Sequence, residues 1–144
     1  MATPDENKAV VRRMVEMMPK GWNQAEAEQI IAPNWVNIDP SLPPLQGYEG
    51  ARQLMALFTS AFPDLYMTMH ELIAEGDTVA AHFTFGGTHQ GELMGIPPTG
   101  KSVKVTATGM FKVVGGKVAE NRVNFDALGL MQQLGAIPTP GQAG

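Results

Sequence analysis

The chain has 144 residues, 44% hydrophobic and 17% charged, which suits one packed domain and rules out two large independent ones. Its 10 Lys and Arg against 14 Asp and Glu give a net charge of −4, the wrong sign for holding nucleic acid or an anionic membrane through a general basic field. Cysteine is absent, which excludes disulfides, thiolate nucleophiles and Cys-ligated zinc or iron–sulfur centres.

The start, MATPDENKAVVRRM, lacks the continuous apolar segment of a secretory signal, and no stretch approaches the roughly 20 apolar residues of a membrane span, so a cytoplasmic protein is expected. Thr3, Pro4 and Glu6 have the order of an N-cap, a first-turn proline and a capping-box acid. Val10, Met14, Met17 and Met18 then recur at helical spacing and predict a helix from about 4 to 18. Pro19, Lys20 and Gly21 break it. Asn23 and Glu26 repeat the capping-box spacing ahead of Ala27, Ile30 and Ile31, a shorter helix that Pro33 is expected to close.

From Asn34 to Asp39 the chain alternates weakly, with Trp35 and Asn37 on one side and Val36 and Ile38 on the other. The run Pro40-Ser41-Leu42-Pro43-Pro44 then forces an irregular rim loop. From Gly50, the positions Leu54, Leu57, Phe58, Ala61 and Phe62 trace one buried face of a third helix, stopped by Pro63.

The second half changes period. Leu65 to Ala74, Thr78 to Gly87, Val103 to Val114 and Lys117 to Phe125 are β-rich and punctuated by Gly76-Asp77 and Gly115-Gly116, as antiparallel hairpins would be. Thr88 to Lys101 holds Gly91, Gly95, Pro97, Pro98 and Gly100, too many breakers for a regular element. Leu128, Leu130, Met131 and Leu134 fit a short final helix ending near Gly135, and Ile137 to Gly144 reads as a loose tail or a strap on a neighbouring surface. Helices followed by curved strands predict a single α+β domain over the whole chain.

No local spacing among His70, His82 and His89 specifies a metal, and no phosphate-binding loop or serine nucleophile elbow is present. Period-two logic puts Glu120, Arg122, Asn124 and Asp126 on one polar face of the last strand. In a partly dry pocket Asp126 would transfer protons while Arg122 or Asn124 orients an oxygen; alternatively, Asp126 caps the final helix and Arg122 pairs with Glu120 on the surface. His82 points opposite the apolar series Val79, Ala81, Phe83 and Phe85, and His89 lies near the presumed mouth; each is either a proton carrier or a hydrogen-bonded structural histidine. Trp35, Phe58, Phe62, Met67, Met69, Met110 and Phe125 either wall a flat apolar ligand or fill the core.

The segment GGTHQGELMGIPPTGK (86–101), followed by GKVAE (116–120) and DALGLMQQLG (126–135), resembles the SnoaL-like family of polyketide cyclases. The resemblance implies a cone-shaped curved antiparallel sheet, an α+β barrel of the nuclear-transport-factor-like superfamily, packed against N-terminal helices around a deep apolar pocket. It also implies ring closure of a polyketide by intramolecular aldol condensation, with no metal or organic cofactor, by an Asp acid/base and a nearby His. Matching through Gly116-Lys117 and Gly129 places that Asp at Val123 and that His at Gly109, so both reactive groups are missing.

The expected ligand is an apolar or aromatic small molecule, a polyketide or related ester, with Asp126 as catalytic candidate and Trp35, Phe62, His82, Met110, Arg122 and Asn124 as binding candidates. The missing pair keeps open a cofactor-independent hydroxylase acting with a reductase partner, and a non-catalytic hydrophobic-ligand-binding protein. Self-association into a homo-oligomer through the curved sheet is expected as well.

Overall fold

The computed structural model describes residues 3–138; the part of the anticipated tail from 139 to 144 lies outside them. Helix α1 (Pro4–Met17) opens on the anticipated capping box: Thr3 Oγ1 accepts from Glu6 N (3.1 Å) and Glu6 Oε1 accepts from Thr3 N (3.2 Å). Such a cap contributes about 1 kcal/mol. Its buried face presents Val11, Met14, Val15 and Met17 to the core, and Asn7 Nδ2 donates to Gly76 O (3.2 Å), tying the helix to a hairpin turn.

A 3-10 turn (Met18–Lys20) leads to α2 (Gln24–Ile30), where Asn23 Oδ1 accepts from Glu26 N (3.0 Å). The sequence reading extends α2 to Pro33, but the helix ends at Ile30 and passes directly into strand β1 (Ile31–Ile38). Pro33 is tolerated there because the β1 register slips between Ile31 and Val36, which frees it from a ladder position. A two-residue strand β2 (Leu45–Gln46) follows the proline-rich loop, and α3 (Gly47–Ala61) begins three residues before the anticipated Gly50. Gly47 has φ +68, a value that favours glycine.

Strands β3 (Tyr66–Glu75), β4 (Thr78–Thr88), β5 (Ser102–Val114) and β6 (Lys117–Phe125) form the anticipated meander, and α4 (Ala127–Gln133) closes the fold. The architecture is α+β, with sheet order β2-β1-β6-β5-β4-β3. The sheet is not all-antiparallel, since β1 runs parallel to β6, with Asn37 paired to Asn121. Nor does it close, since β2 and β3 are edges. Strand β5 alternates strictly, sending Val103, Val105, Ala107, Phe111 and Val113 inward. Helices α1 and α3 cover this concave face, and no helix among the described residues is long and apolar enough to cross a membrane.

Beyond Phe125 the β5 edge would be bare. Asp126 N donates to Thr106 O (3.0 Å), and the Gln133 side chain accepts from Lys104 N (2.8 Å) and donates to Lys104 O (2.9 Å). One amide side chain thus does the work of a strand residue and holds α4 against β5.

Candidate active site

Between α1, α3 and the concave face of the sheet lies an apolar cavity of about 90 Å³. Two kinds of side chain build its hydrocarbon part. Phe58, Phe85 and Phe125 meet edge to face, with ring centroids 5.5 to 6.3 Å apart, a geometry that favours aromatic pairs. Met14, Met17, Met18, Met55 and Met67 line it too, and their unbranched thioether chains can change rotamer at little cost. Pockets for drug-sized ligands begin near 300 Å³, so the cavity is smaller than such a ligand needs and can widen where the methionines change rotamer.

One end of the cavity is polar. Trp35 and Asn37 come from β1, Asp39 from the residue just past it, and Asn121 from β6. Trp35 Nε1 donates to Asn121 Oδ1 (3.1 Å) out of contact with solvent, whereas Asn37 Nδ2 is buried without a partner among the described residues. Asp39 Oδ1 accepts from Ser41 N (2.8 Å), and Leu42 N donates to Asp39 O (3.1 Å); this turn carries Leu42 into the cavity wall. Burial raises the Asp39 carboxyl above its ordinary value of 3.8, opposed by hydrogen bonds from the Ser41 backbone and side chain. Among the described residues that line the cavity, Asp39 alone has an ionisable side chain.

Of the residues anticipated from the sequence, Trp35 lines the cavity, as do Phe58, Met67 and Phe125. Phe62 is buried outside its wall, with its ring 5.9 Å from that of His89. His82, Met110, Arg122 and Asn124 project from the opposite, exposed face of the sheet. There Arg122 Nε donates to Glu120 Oε2 (3.2 Å), and the His82 ring stands 5.2 Å from that of His70, which bonds Thr84. Asp126 is exposed, caps α4 by accepting from Gly129 N (2.8 Å), and does not line the cavity. His89 is fully buried, its Nδ1 accepting from Thr99 N (3.2 Å), and Met69 packs on the core outside the cavity wall.

Period-two logic favours the more polar face of β6, which is the solvent face. Asn121 shares the other face with Val123 and Phe125, and that apolar company was the available signal. Asn37 was visible as the companion of Trp35, whereas Asp39 was hidden at the start of a loop.

Gly109 and Val123 are cross-strand partners, so the two positions matched to a catalytic His and Asp do adjoin. Neither offers a proton-transfer group. A Cβ on Gly109 would come within 2.6 Å of the Phe111 ring, which occupies that space, and Val123 lines the cavity. No group of three or more His, Cys, Asp or Glu side chains suited to a metal occurs among the described residues.

Residues 8–134 match the family described as SnoaL-like polyketide cyclase. The chain is 31% identical over 137 residues to the aklanonic acid methyl ester cyclase DnrD of Streptomyces peucetius, covering 91% of this chain and 92% of that protein. Among solved structures, TsrD of Streptomyces laurentii superposes with a TM-score of 0.84 at 26% identity, over 95% of this chain and 100% of that one. AclR of Streptomyces galilaeus, named as a candidate hydroxylase, superposes with a TM-score of 0.81 at 29% identity, over 97% and 87% of the two chains.

Proposed function

The chain belongs to the SnoaL-like polyketide cyclase family, and on that premise we propose that it closes a ring in an uncharged polyketide ester by intramolecular aldol condensation, with Asp39 moving the proton. The observation that carries this reading is the position of Asp39, a lone shielded carboxyl at the polar end of a hydrocarbon cavity. A general base must come within about 2.6–3.2 Å of the proton it takes, directly or through one water. With Val123 and Phe111 forming the wall at the other candidate centre, Asp39 is the cavity-lining side chain suited to that task.

In the proposed reaction the Asp39 carboxylate removes a proton from a carbon flanked by carbonyl groups, leaving an enolate. The enolate carbon adds to a ketone carbon of the same molecule, forming one C–C bond. The resulting alkoxide takes the proton back from Asp39, so the product is an isomer of the substrate. Among the described residues no Lys, Arg or His lines the cavity to neutralise the enolate, which therefore suits a substrate that delocalises the charge over its own carbonyls.

Aklanonic acid methyl ester, named for the DnrD relative, is the substrate to test first. Incubation under isotopically labelled molecular oxygen is expected to yield a product of unchanged mass; a product heavier by one labelled oxygen would overturn the aldol reading. That second outcome would indicate hydroxylation instead, the activity named for AclR, with molecular oxygen as oxidant and a reductant supplied by a partner enzyme.

A further inference from the structure

Asn37 on β1 and Asn121 on β6 are direct partners across the parallel pair, and both line the cavity at 3% and 5% exposure. The orientation of Asn121 follows from its neighbour. An indole N–H only donates, so the amide atom 3.1 Å from Trp35 Nε1 is the oxygen, and the nitrogen is the end turned away from the indole. Asn37 Nδ2 is buried and has no hydrogen-bond partner among the described residues. A native fold seldom leaves a buried donor unmet without a compensating use, and here two amide nitrogens belong to adjacent residues at the polar end of one cavity.

We propose that Asn37 and Asn121 form an oxygen-binding subsite, in which both amides donate to one carbonyl oxygen of a ligand whose hydrocarbon part lies against the aromatic and methionine walls. Trp35 is the positioning residue, since its N–H keeps the oxygen of Asn121 turned away from the ligand. The bound oxygen belongs to a ketone or ester, not to a carboxylate or phosphate. An anion would find Asp39 on the same wall and, among the described residues, no cationic side chain lining the cavity. The subsite rests on the reading of this cavity as a ligand site but not on any chemistry by Asp39.

The test compares 1-tetralone with tetralin, two ligands of one ring skeleton that differ by a carbonyl, titrated by NMR into wild-type protein and the variants Asn37→Leu and Trp35→Phe. The ratio of the tetralin Kd to the tetralone Kd is expected to fall about tenfold in Asn37→Leu, as for the loss of one hydrogen bond. Tetralin affinity is expected to hold and Tm to rise, because an unmet buried donor has been removed. Trp35→Phe is expected to lower the ratio severalfold by freeing the Asn121 amide to turn over. An unchanged ratio in Asn37→Leu, with tetralin still bound, overturns the subsite while leaving the cavity a ligand site. A joint loss of Tm and of both affinities shows Asn37 to be a structural residue and also overturns it. Failure of both ligands to bind the wild type removes the subsite together with the reading beneath it.

Discussion

The two faces of the sheet are made by the same strands and have opposite chemistry. On β6, Asn121, Val123 and Phe125 line the cavity, while Arg122 and Asn124 between them are exposed. The exposed face holds the charged pair Arg122–Glu120, yet water screens such a pair to about 0–1 kcal/mol. The concave face holds few polar groups, and each matters more because its partners are fixed or missing: Trp35 bonded to Asn121, Asn37 unmet, Asp39 shielded. Polarity alone is therefore a poor guide to a site. A polar group with apolar neighbours on its own side of the strand is a better one.

Adjacent residues of β5 give the sharpest break between the faces. Phe111→Ala empties a buried site and is expected to cost about 3–5 kcal/mol in chemical denaturation, whereas Met110→Ala, one residue away and exposed, should stay within about 0.5 kcal/mol. Gly109→Ala comes next: its new methyl group meets the Phe111 ring, and the overpacking is expected to cost about 1–3 kcal/mol and to change the cavity's shape. Asp126→Ala removes the α4 cap and should lower stability by about 1 kcal/mol without a comparable loss of ligand binding. Arg122→Ala should be the smallest, within about 0.5 kcal/mol.

Asp39 adds a pH dependence to the comparison. Its carboxyl is held above 3.8 in the fold, so the native state binds the proton more tightly than the unfolded chain does. Protonation of this group favours folding at low pH, and that contribution is lost as pH rises through the native value. Asp39→Asn, uncharged throughout, is therefore expected to exceed the wild type in Tm at neutral pH, with the difference shrinking on acidification. A difference that grows on acidification would contradict the shielding of this carboxyl.

Much of the fold was legible because its signals are local. The Thr3–Glu6 box, the Asn23 cap, the Gly76-Asp77 turn and the β-rich run from Val103 to Val114 each rest on signals within a few residues and hold in the structure. What escaped was non-local. The parallel pairing of β1 with β6 joins segments some 80 residues apart and leaves no turn motif, and it also allows Pro33 to sit in a strand. The site escaped for another reason. Period-two logic separates the two faces of β6 correctly but favours the one richer in polar residues, Glu120, Arg122, Asn124 and Asp126, whereas Asn121 lines the cavity beside Val123 and Phe125. Asp39 became a site residue only once β1 had been placed beside β6.

The proposed function places proton transfer at the concave polar end and not at the outer face. Its most direct test is turnover of the polyketide ester by Asp39→Asn and Asp126→Asn variants measured side by side over pH. Loss of proton transfer in Asp39→Asn is expected to lower kcat by about 100-fold or more, Asp126→Asn should keep kcat within about twofold, and the wild-type rate should rise with pH through a midpoint above 3.8. Full turnover in Asp39→Asn together with its loss in Asp126→Asn would move the chemistry to the outer face.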